Sequence, residues 1–233
     1  MSVLVPARRP AREILDDITL PADEMARSLR DLELVNEKWG GSKAIETHLL
    51  SRMSGGREER VVVLDVGAGS GAVTRALVRR LARAGHRATV VAVDLQWRHL
   101  AAGRAWRGGD LSALAADAFA LPLANGAADW VVSTLMFHHF SPEENRALLR
   151  EFARVSRRGF AILDLRRHLF PWIFVSIAGR IVFESRVSLL DGQTSVRQAY
   201  TKDEAREIAQ SAVPGSRVER VFPFRLLISG PGA

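Results

Sequence analysis

Acidic residues and histidines that could bind a ligand or move a proton stand beside four apolar runs. Asp65, Asp94 and Asp117 each lie within the end of such a run or follow it directly. A carboxylate accepts hydrogen bonds from hydroxyl and amino groups and pairs with cations. His138 and His139 come shortly after the fourth run, and an imidazole takes up a proton near neutral pH. These residue types therefore allow binding of a polar or cationic ligand with proton transfer beside it.

A strand, a glycine turn and a helix are predicted around Asp65. Residues 61–64 are apolar and mostly β-branched, which is typical of a buried strand, and glycines follow at positions 67, 69 and 71. Apolar residues then recur at helical spacing over 72–83. Because glycine has no Cβ, the backbone can approach a ligand closely, and the helix start offers free N–H groups. We therefore expect a ligand at this turn, with a plain tight turn as the alternative.

The carboxylate of Asp65 distinguishes between two possible ligands. Gly67, Gly69 and Ala72 satisfy the lax dinucleotide pattern G-x-G-x-x-G/A, which would indicate a nicotinamide-dependent dehydrogenase. A carboxylate just before the first glycine would repel a pyrophosphate, however. The same carboxylate suits an ammonium or a sulfonium group, and S-adenosylmethionine carries both. We therefore predict S-adenosylmethionine as the ligand.

Residues 65–71, Asp-Val-Gly-Ala-Gly-Ser-Gly, resemble motif I of the class I S-adenosylmethionine-dependent methyltransferases. The resemblance covers about 61–165 and is to the small-molecule branch related to ubiquinone and menaquinone biosynthesis. The later part of the chain is similar to bacterial methyltransferases of polyketide-type pathways. Enzymes that methylate amino groups in DNA and protein carry a tetrapeptide of the Asn-Pro-Pro-Tyr type. Residues 133–136 of this chain, Ser-Thr-Leu-Met, stand in its place.

The resemblance implies a set of cofactor contacts. In motif I they are Asp65, Gly67, Ala68, Gly69 and Gly71.

Further contacts are implied at the ends of the next strands. Asp94 can accept both ribose hydroxyls, and Leu95 can pack on the adenine; the alternative for Asp94 is capping of the next helix. The resemblance implies that Asp117 accepts from the adenine amino group while the N–H of Ala118 serves a ring nitrogen; the alternative is a plain loop residue. Ser133 lies where methyl donor and acceptor should meet.

His139, followed by His138, is the candidate general base for an acceptor hydroxyl. The alternative is that both histidines only pack or cap the next helix. Asp164 and His168 at the end of the fifth strand are lesser candidates. Positioning of donor and acceptor supplies much of the rate of methyl transfer. No metal is expected, because the acids lie on separate strands and no His/Asp cluster has ligand spacing.

Alternating strand and helix signals after residue 60 predict βαβ units with right-handed crossovers. The expected fold is α/β, a doubly wound, seven-stranded, mostly parallel sheet of the Rossmann-like methyltransferase type. An Asp-Gly pair at 191–192 predicts a turn. The first predicted strand begins at residue 61. The other six cover 89–94, 114–117, 129–134, 159–165, 218–222 and 224–228, and the last two form an antiparallel edge. The predicted helices are 72–83, 96–106, 142–155, 169–183 and 202–212.

Residues 1–56 are predicted to form an N-terminal arm and a helical lid, and 57–233 the methyltransferase domain. The first 20 residues are weakly patterned and predict a loose arm. One amphipathic helix starts at Pro21 and a second is capped by Ser42. Two such helices cannot bury their apolar faces alone, so we expect them to cover the ligand crevice.

Residues 169–183 are unusually apolar, within a predicted cap segment 168–200. Arg180 interrupts the run, which is shorter than the roughly 20 residues that span a membrane. We predict a helix that caps an apolar pocket, with a core helix or a helix on a membrane surface as alternatives. Asn36 and Trp39 are candidates for the pocket lining. The expected acceptor is a hydrophobic aromatic or lipid-like molecule, methylated on a hydroxyl or, as second choice, on a carbon.

Composition limits the remaining function classes. The 233 residues contain no cysteine, which excludes disulfides and cysteine metal sites. The start lacks a secretory signal, so a cytoplasmic location is expected. The net charge of +7 comes mainly from arginines that are spread along the chain, whereas nucleic-acid binding favours a contiguous basic stripe. An RNA methyltransferase and a non-catalytic S-adenosylmethionine-binding module remain the alternative functions.

Overall fold

The computed structural model describes residues 4–38, 41–53, 60–103 and 111–233. Two sequence expectations lie outside these residues: Trp39 in the pocket lining and the end of the helix predicted over 96–106. Eight α-helices are described: α1 Ala22–Lys38, α2 Gly41–Arg52, α3 Ala72–Arg83, α4 Trp97–Ala102, α5 Pro142–Val155, α6 Leu169–Val182, α7 Arg186–Gln198 and α8 Lys202–Ala212.

Seven strands form one sheet in the order β3-β2-β1-β4-β5-β7-β6. They are β1 Arg60–Val66, β2 Arg87–Asp94, β3 Leu111–Ala115, β4 Ala128–Thr134, β5 Ser156–Leu165, β6 Arg217–Val221 and β7 Arg225–Gly230. Strands β1 to β5 pair in parallel. The predicted doubly wound fold is therefore confirmed. Strand order reverses between β1 and β4, and ligands of such sheets bind at the carboxyl ends of the strands near this point.

The predicted antiparallel edge of the last two strands is confirmed. The antiparallel strand β7 lies between β5 and β6, and β6 is the edge. Leu226 and Leu227 of β7 are buried on opposite faces of the sheet, so this strand needs cover on both sides. The sequence of β6, Arg-Val-Glu-Arg-Val, is mostly exposed, and charged residues suit an edge strand.

Each face of the sheet carries its own hydrophobic core. On one face, Leu148 and Phe152 of α5 pack with Ile208 of α8 against the strands. On the other, Ile45 and Leu49 of α2 pack with α3 and the sheet. The expectation that α2 belongs to a lid is wrong, because its apolar stripe is used to cover the sheet. Ser42 also lies inside α2, which begins at Gly41, and not at a cap before it.

A helix replaces the turn that was predicted at Asp191 and Gly192. Both residues lie within α7, whose first turn is capped by the side chain of Ser185. A Cβ at Gly192 would lie 3.0 Å from Val175 Cγ1, so this glycine allows α6 and α7 to pack closely. Asp191 accepts hydrogen bonds from backbone N–H groups of the N-terminal arm. Tertiary contacts thus use both residues in ways that override their turn propensity.

The N-terminal arm is fastened to the domain, contrary to the prediction of a loose segment. Its only regular part is a 3₁₀ turn at Ile14–Asp16. The guanidinium of Arg8 donates to the carbonyl oxygens of Gln198, His138 and Phe140 at 2.6, 3.0 and 2.9 Å. The arm therefore bridges α7 and the segment after β4. Among the described helices, none combines the length and apolar character needed to cross a bilayer.

Candidate active site

A cavity of about 1470 Å³ opens at the carboxyl ends of the central strands, bounded by α1, α6, α7 and the arm. Nine of the twelve predicted site residues line it: Gly67, Ala68, Gly69, Asp94, Leu95, Asp117, Ala118, His138 and His139. The other three, Asp65, Gly71 and Ser133, do not line it and lie behind its wall. Asn36 lines the cavity as predicted. Of the two N-terminal helices, α1 lines the cavity, and no residue of the described part of α2 does.

The N–H groups of the glycine loop are already bonded within the protein. Gly67 and Ala68 donate to the carbonyl oxygen of Val93 at 2.8 and 3.0 Å, and Gly69 donates to Asp94 Oδ2 at 2.8 Å. These three N–H groups are therefore not free to bind a ligand, whereas the free N–H groups expected from the sequence were those at the start of α3. A phosphate is bound by such groups when they are free, so this loop does not offer that kind of site.

Close approach, not hydrogen bonding, is what the glycines provide. Gly67 and Gly69 have φ angles of +73° and +56°, which L side chains rarely adopt. A Cβ at Gly67 would lie 2.4 Å from Met136 Sδ, so no other residue fits there without displacing Met136. Met136 follows Leu135, whose φ of 56° is unusual for a residue with a side chain. The loop and the end of β4 are thus pressed together at the cavity wall.

Asp65 is fully buried between β1 and α3 and does not face a ligand. Its Oδ2 accepts a hydrogen bond of 2.6 Å from Thr74 Oγ1, and its Oδ1 has no partner among the residues that the structure describes. Burial raises the pKa of Asp65 to about 7. The structure therefore does not support the expectation that the carboxylate of Asp65 contacts the ligand directly. Gly71 sits at the N-cap of α3, and Ser133 is completely buried within β4.

Asp94 joins the two loops that border the cavity. Its Oδ2 accepts from Gly69 N and its Oδ1 from Gln96 N at 2.9 Å. Gln96 is the N-cap residue of α4, and this cap has no side-chain hydrogen bond, so Asp94 does not cap the next helix. Each carboxylate oxygen can accept more than one hydrogen bond, which leaves capacity for a ligand hydroxyl. Asp117 is exposed, accepts from Phe119 N at 2.9 Å, and lies two residues beyond the end of β3.

His138 is held between two carboxylates. Its Nδ1 lies 2.6 Å from Asp164 Oδ1, and its Nε2 lies 3.3 Å from Glu13 Oε1. Burial opposes protonation, but the charge and hydrogen bonds of Asp164 and Glu13 outweigh it and raise the pKa of His138 to about 10. Because both ring nitrogens then carry protons, His138 has no lone pair with which to act as a base at neutral pH.

His139 is more accessible and meets two carboxylates of the arm. Its side chain is 21% exposed, its Nδ1 lies 3.2 Å from Asp16 Oδ2, and its Nε2 lies 3.6 Å from Glu13 Oε2. A proton on Nδ1 that bonds to Asp16 leaves Nε2 as the proton acceptor. Of the two histidines, His139 therefore has the geometry of a base.

Glu13, His138 and His139 have ligand atoms that all lie within 4.8 Å of one another, a set that could hold a metal ion. The expectation that no such spacing exists is therefore wrong for the described residues. Glu13 is buried, which by itself raises its pKa, but the hydrogen bond from His138 and the two histidine charges lower the pKa to about 2. Ser195 and Gln198 also donate to Glu13 Oε1, at 2.5 and 2.7 Å. His138, Ser195 and Gln198 together therefore satisfy Oε1 of this carboxylate.

Sequence reasoning missed three site residues: Glu13, Asp16 and Arg225, all of which line the cavity. They are distant in sequence from motif I, and no local pattern marks them. Asp164, a lesser candidate, orients His138. His168, the other lesser candidate, caps α6 by accepting from Phe170 N at 3.3 Å.

Residues 63–159 match a family described as methyltransferase domain. This segment contains the glycine loop and all five parallel strands in part or whole. Fold, motif and family match together show that the chain contains an S-adenosylmethionine-dependent methyltransferase domain, with S-adenosylmethionine as its cofactor. A search of curated proteins found no match to the chain.

Solved structures of methyltransferases show the same fold. An S-adenosylmethionine-dependent methyltransferase from Aquifex aeolicus is 21% identical, with a TM-score of 0.59, over 88% of this chain and 96% of that one. Magnesium protoporphyrin IX methyltransferase from Synechocystis PCC 6803, with bound S-adenosylhomocysteine, is 17% identical, with a TM-score of 0.56, over 84% and 83%. Human N-acetylserotonin methyltransferase is 14% identical, with a TM-score of 0.68, over 97% of this chain and 60% of that one.

Proposed function

We propose that this chain transfers the methyl group of S-adenosylmethionine to a hydroxyl of a hydrophobic aromatic or lipid-like small molecule, with a carbon as the alternative acceptor atom. The observation that carries the proposal is the size and lining of the cavity. Its volume of about 1470 Å³ exceeds the roughly 300–1,000 Å³ of a pocket for one small ligand. A cofactor therefore leaves room for an acceptor in the same cavity.

The cofactor end of the cavity is assigned to the two loops that Asp94 joins. Gly67 and Gly69 let the backbone approach the cofactor, and Asp94 accepts from its ribose hydroxyls. Leu95 is 72% exposed at the cavity and can cover the adenine. The glycine loop is the feature that suits the cofactor, because a side chain at position 67 would collide with Met136.

The rest of the predicted cofactor set completes this assignment. Asp117 and Ala118 border the adenine end of the cavity, where they can pair with the ring edge. We assign Asp65, Gly71 and Ser133 a supporting role behind the wall, since none of them lines the cavity.

The acceptor end is bordered by α6. Phe170, Ile173, Phe174 and Ile177 line the cavity and are nevertheless 55, 38, 49 and 66% exposed. Contiguous exposed apolar side chains are typical of a site that binds an apolar partner. A hydrophobic acceptor would cover these side chains, which supports the proposed substrate class.

His139 is proposed as the base that takes the acceptor proton. When bound, S-adenosylmethionine supplies an electrophilic methyl group. The hydroxyl proton moves to Nε2 of His139 as the oxygen forms its bond to the methyl carbon and the carbon–sulfur bond breaks. Asp16 fixes the ring through Nδ1, and Glu13 stabilises the positive imidazolium that results.

Calorimetric titration with S-adenosylhomocysteine tests the cofactor site. We expect one site per chain in the wild type and an affinity at least roughly tenfold lower in Asp94→Ala, because hydroxyl pairing with a carboxylate is lost. Asp203→Ala, an exposed acid on α8, is the matched control and should bind normally. Unchanged affinity in Asp94→Ala, or no binding by the wild type, would count against the assignment.

A panel of radiolabelled transfer reactions separates the alternative functions. We expect transfer to apolar phenols or long-chain alcohols and none to RNA. An RNA methyltransferase would instead bind RNA with a strong dependence on salt concentration. A non-catalytic module would bind the cofactor and transfer to no acceptor.

A further inference from the structure

Arg225 is a buried arginine in the wall of the cavity. It is the first residue of β7 and lies beside Leu165, the last residue of β5. Its side chain is only 3% exposed, and it is among the residues that line the cavity. It is therefore placed at the edge of the sheet where ligands bind.

One nitrogen of the Arg225 guanidinium lacks the hydrogen-bond partner that its burial requires, among the residues that the structure describes. This nitrogen is Nη1. Asp164 attracts Arg225 electrostatically, but both oxygens of Asp164 already accept hydrogen bonds from His138, and one also accepts from Leu165 N. A buried donor without an acceptor costs free energy, and more so when it is charged.

The charge of Arg225 persists despite burial. Desolvation lowers the pKa of Arg225 to about 10, and attraction by Asp164 opposes this decrease. The side chain is therefore a cation at neutral pH. The same cavity is lined nearby by Pro223 and Phe224, which precede Arg225 in the chain, and by Phe170 of α6. Apolar surroundings strengthen pairing of a guanidinium with an anion.

We propose that Arg225 forms a subsite for a carboxylate on the methyl acceptor, so that the substrate is an apolar molecule with an acidic end. This inference rests on the proposed function, since it places the acceptor in the same cavity. A guanidinium presents a planar fork of N–H donors that matches a carboxylate, which explains an arginine at this position. The apolar side chains of α6 would contact the remainder of the molecule.

Binding of 2-naphthoate and its neutral analogue 2-naphthamide tests the subsite. Both are titrated calorimetrically into the chain saturated with S-adenosylhomocysteine. We expect naphthoate to bind at least roughly tenfold more tightly, the size of a charge-assisted hydrogen bond. Arg225→Met should abolish this preference while it retains naphthamide binding, and Arg225→Lys should keep part of it.

Arg220→Met is the matched control, because Arg220 is exposed on β6 and does not line the cavity. Equal binding of the two probes by the wild type, or absence of saturable naphthoate binding, overturns the inference. So does a preference that survives in Arg225→Met. Should Arg225→Met fail to fold, the wild-type comparison and Arg225→Lys decide. Failure of S-adenosylhomocysteine to bind in the first titration contradicts the proposed function and not the subsite.

Discussion

Two adjacent histidines have acquired different electrostatic surroundings. His138 is enclosed by Asp164 and Glu13 and keeps both of its protons, whereas His139 stays partly exposed at the cavity. The difference follows from where each ring points relative to the buried carboxylates. The two residues are both histidines, so their surroundings and not their residue type decide which imidazole can act as a base.

Replacement of His139 by glutamine should lower kcat by roughly a hundredfold, because glutamine cannot take the acceptor proton. The affinity for S-adenosylhomocysteine should stay unchanged. The measurement is transfer of labelled methyl to an acceptor found in the panel, with His86→Gln as the control away from the cavity. A His139→Gln variant with wild-type kcat would assign the proton transfer elsewhere.

Treatment with a metal chelator should leave the transfer rate unchanged, since His138, Ser195 and Gln198 already donate hydrogen bonds to Glu13 within the cluster of Glu13, His138 and His139. The rate is compared before and after dialysis against EDTA and after addition of Mn²⁺ or Mg²⁺. Loss of activity that Mn²⁺ restores would show that the cluster holds a metal ion.

Asp65 should make the free energy of unfolding depend on pH. Its folded-state pKa of about 7 lies above the ordinary aspartate value of 3.8, so the folded state resists ionisation while the unfolded state ionises. The wild type should therefore lose stability relative to Asp65→Asn as pH rises from 4 to 7, by at most about 1.4 kcal/mol per pH unit. Urea denaturation of both chains across this range measures the difference. Parallel pH profiles would contradict the raised pKa.

At the scale of elements, α1 is tied to the glycine loop by ionic contacts. Glu33 Oε1 accepts hydrogen bonds of 2.7 Å from both Ser70 Oγ and Arg75 Nη2. Leu29 of α1 also lies over Gly69, 3.6 Å from where a Cβ would be. This helix therefore covers the cofactor end of the cavity and is held closed by Glu33.

Glu33→Gln should speed dissociation of S-adenosylhomocysteine by roughly fivefold, equivalent to about 1 kcal/mol lost from the closed position of α1. Stopped-flow displacement measures the rate. Glu46→Gln is the control, because Glu46 pairs with Arg80 between α2 and α3. Equal rates in Glu33→Gln and the wild type would show that α1 does not limit release.

For the whole molecule, the first 56 residues do not act as one unit. Helix α1 and the arm border the cavity, while α2 completes a hydrophobic core of the sheet. The domain boundary after residue 56 remains a prediction, and the packing of α2 places its apolar face on the methyltransferase domain itself.

Leu49→Ala should destabilise the chain by about 3 kcal/mol, as expected for a large-to-small change in a core. Leu49 is completely buried, whereas Leu32 of α1 is only half-buried and lines the cavity. Leu32→Ala should therefore cost about 1 kcal/mol or less. Urea denaturation compares the two variants, and equal losses would contradict the division between lid and core.

The elements with strong local signals were predicted to the residue. Helices α3, α5 and α8 begin and end where the sequence indicated. Two of them, α5 and α8, start with a capping box, in which Ser141 and Thr201 bond to the glutamate three residues later. Such signals lie within a few residues of each other, so they can be read without the fold.

The amino-acid sequence alone determined the seven-stranded sheet, the glycine turn and the carboxylates at the strand ends, because hydrophobic periodicity and glycine spacing act locally. Only the tertiary structure decided that Asp65 turns away from the ligand, that His139 and not His138 can accept a proton, and that Glu13 and Arg225 reach the cavity. These features depend on burial and on contacts between distant parts of the chain, such as that between Glu13 and His138, which are 125 residues apart. Local sequence patterns do not predict such contacts, since the contacts arise from the way the arm, the sheet and α7 pack.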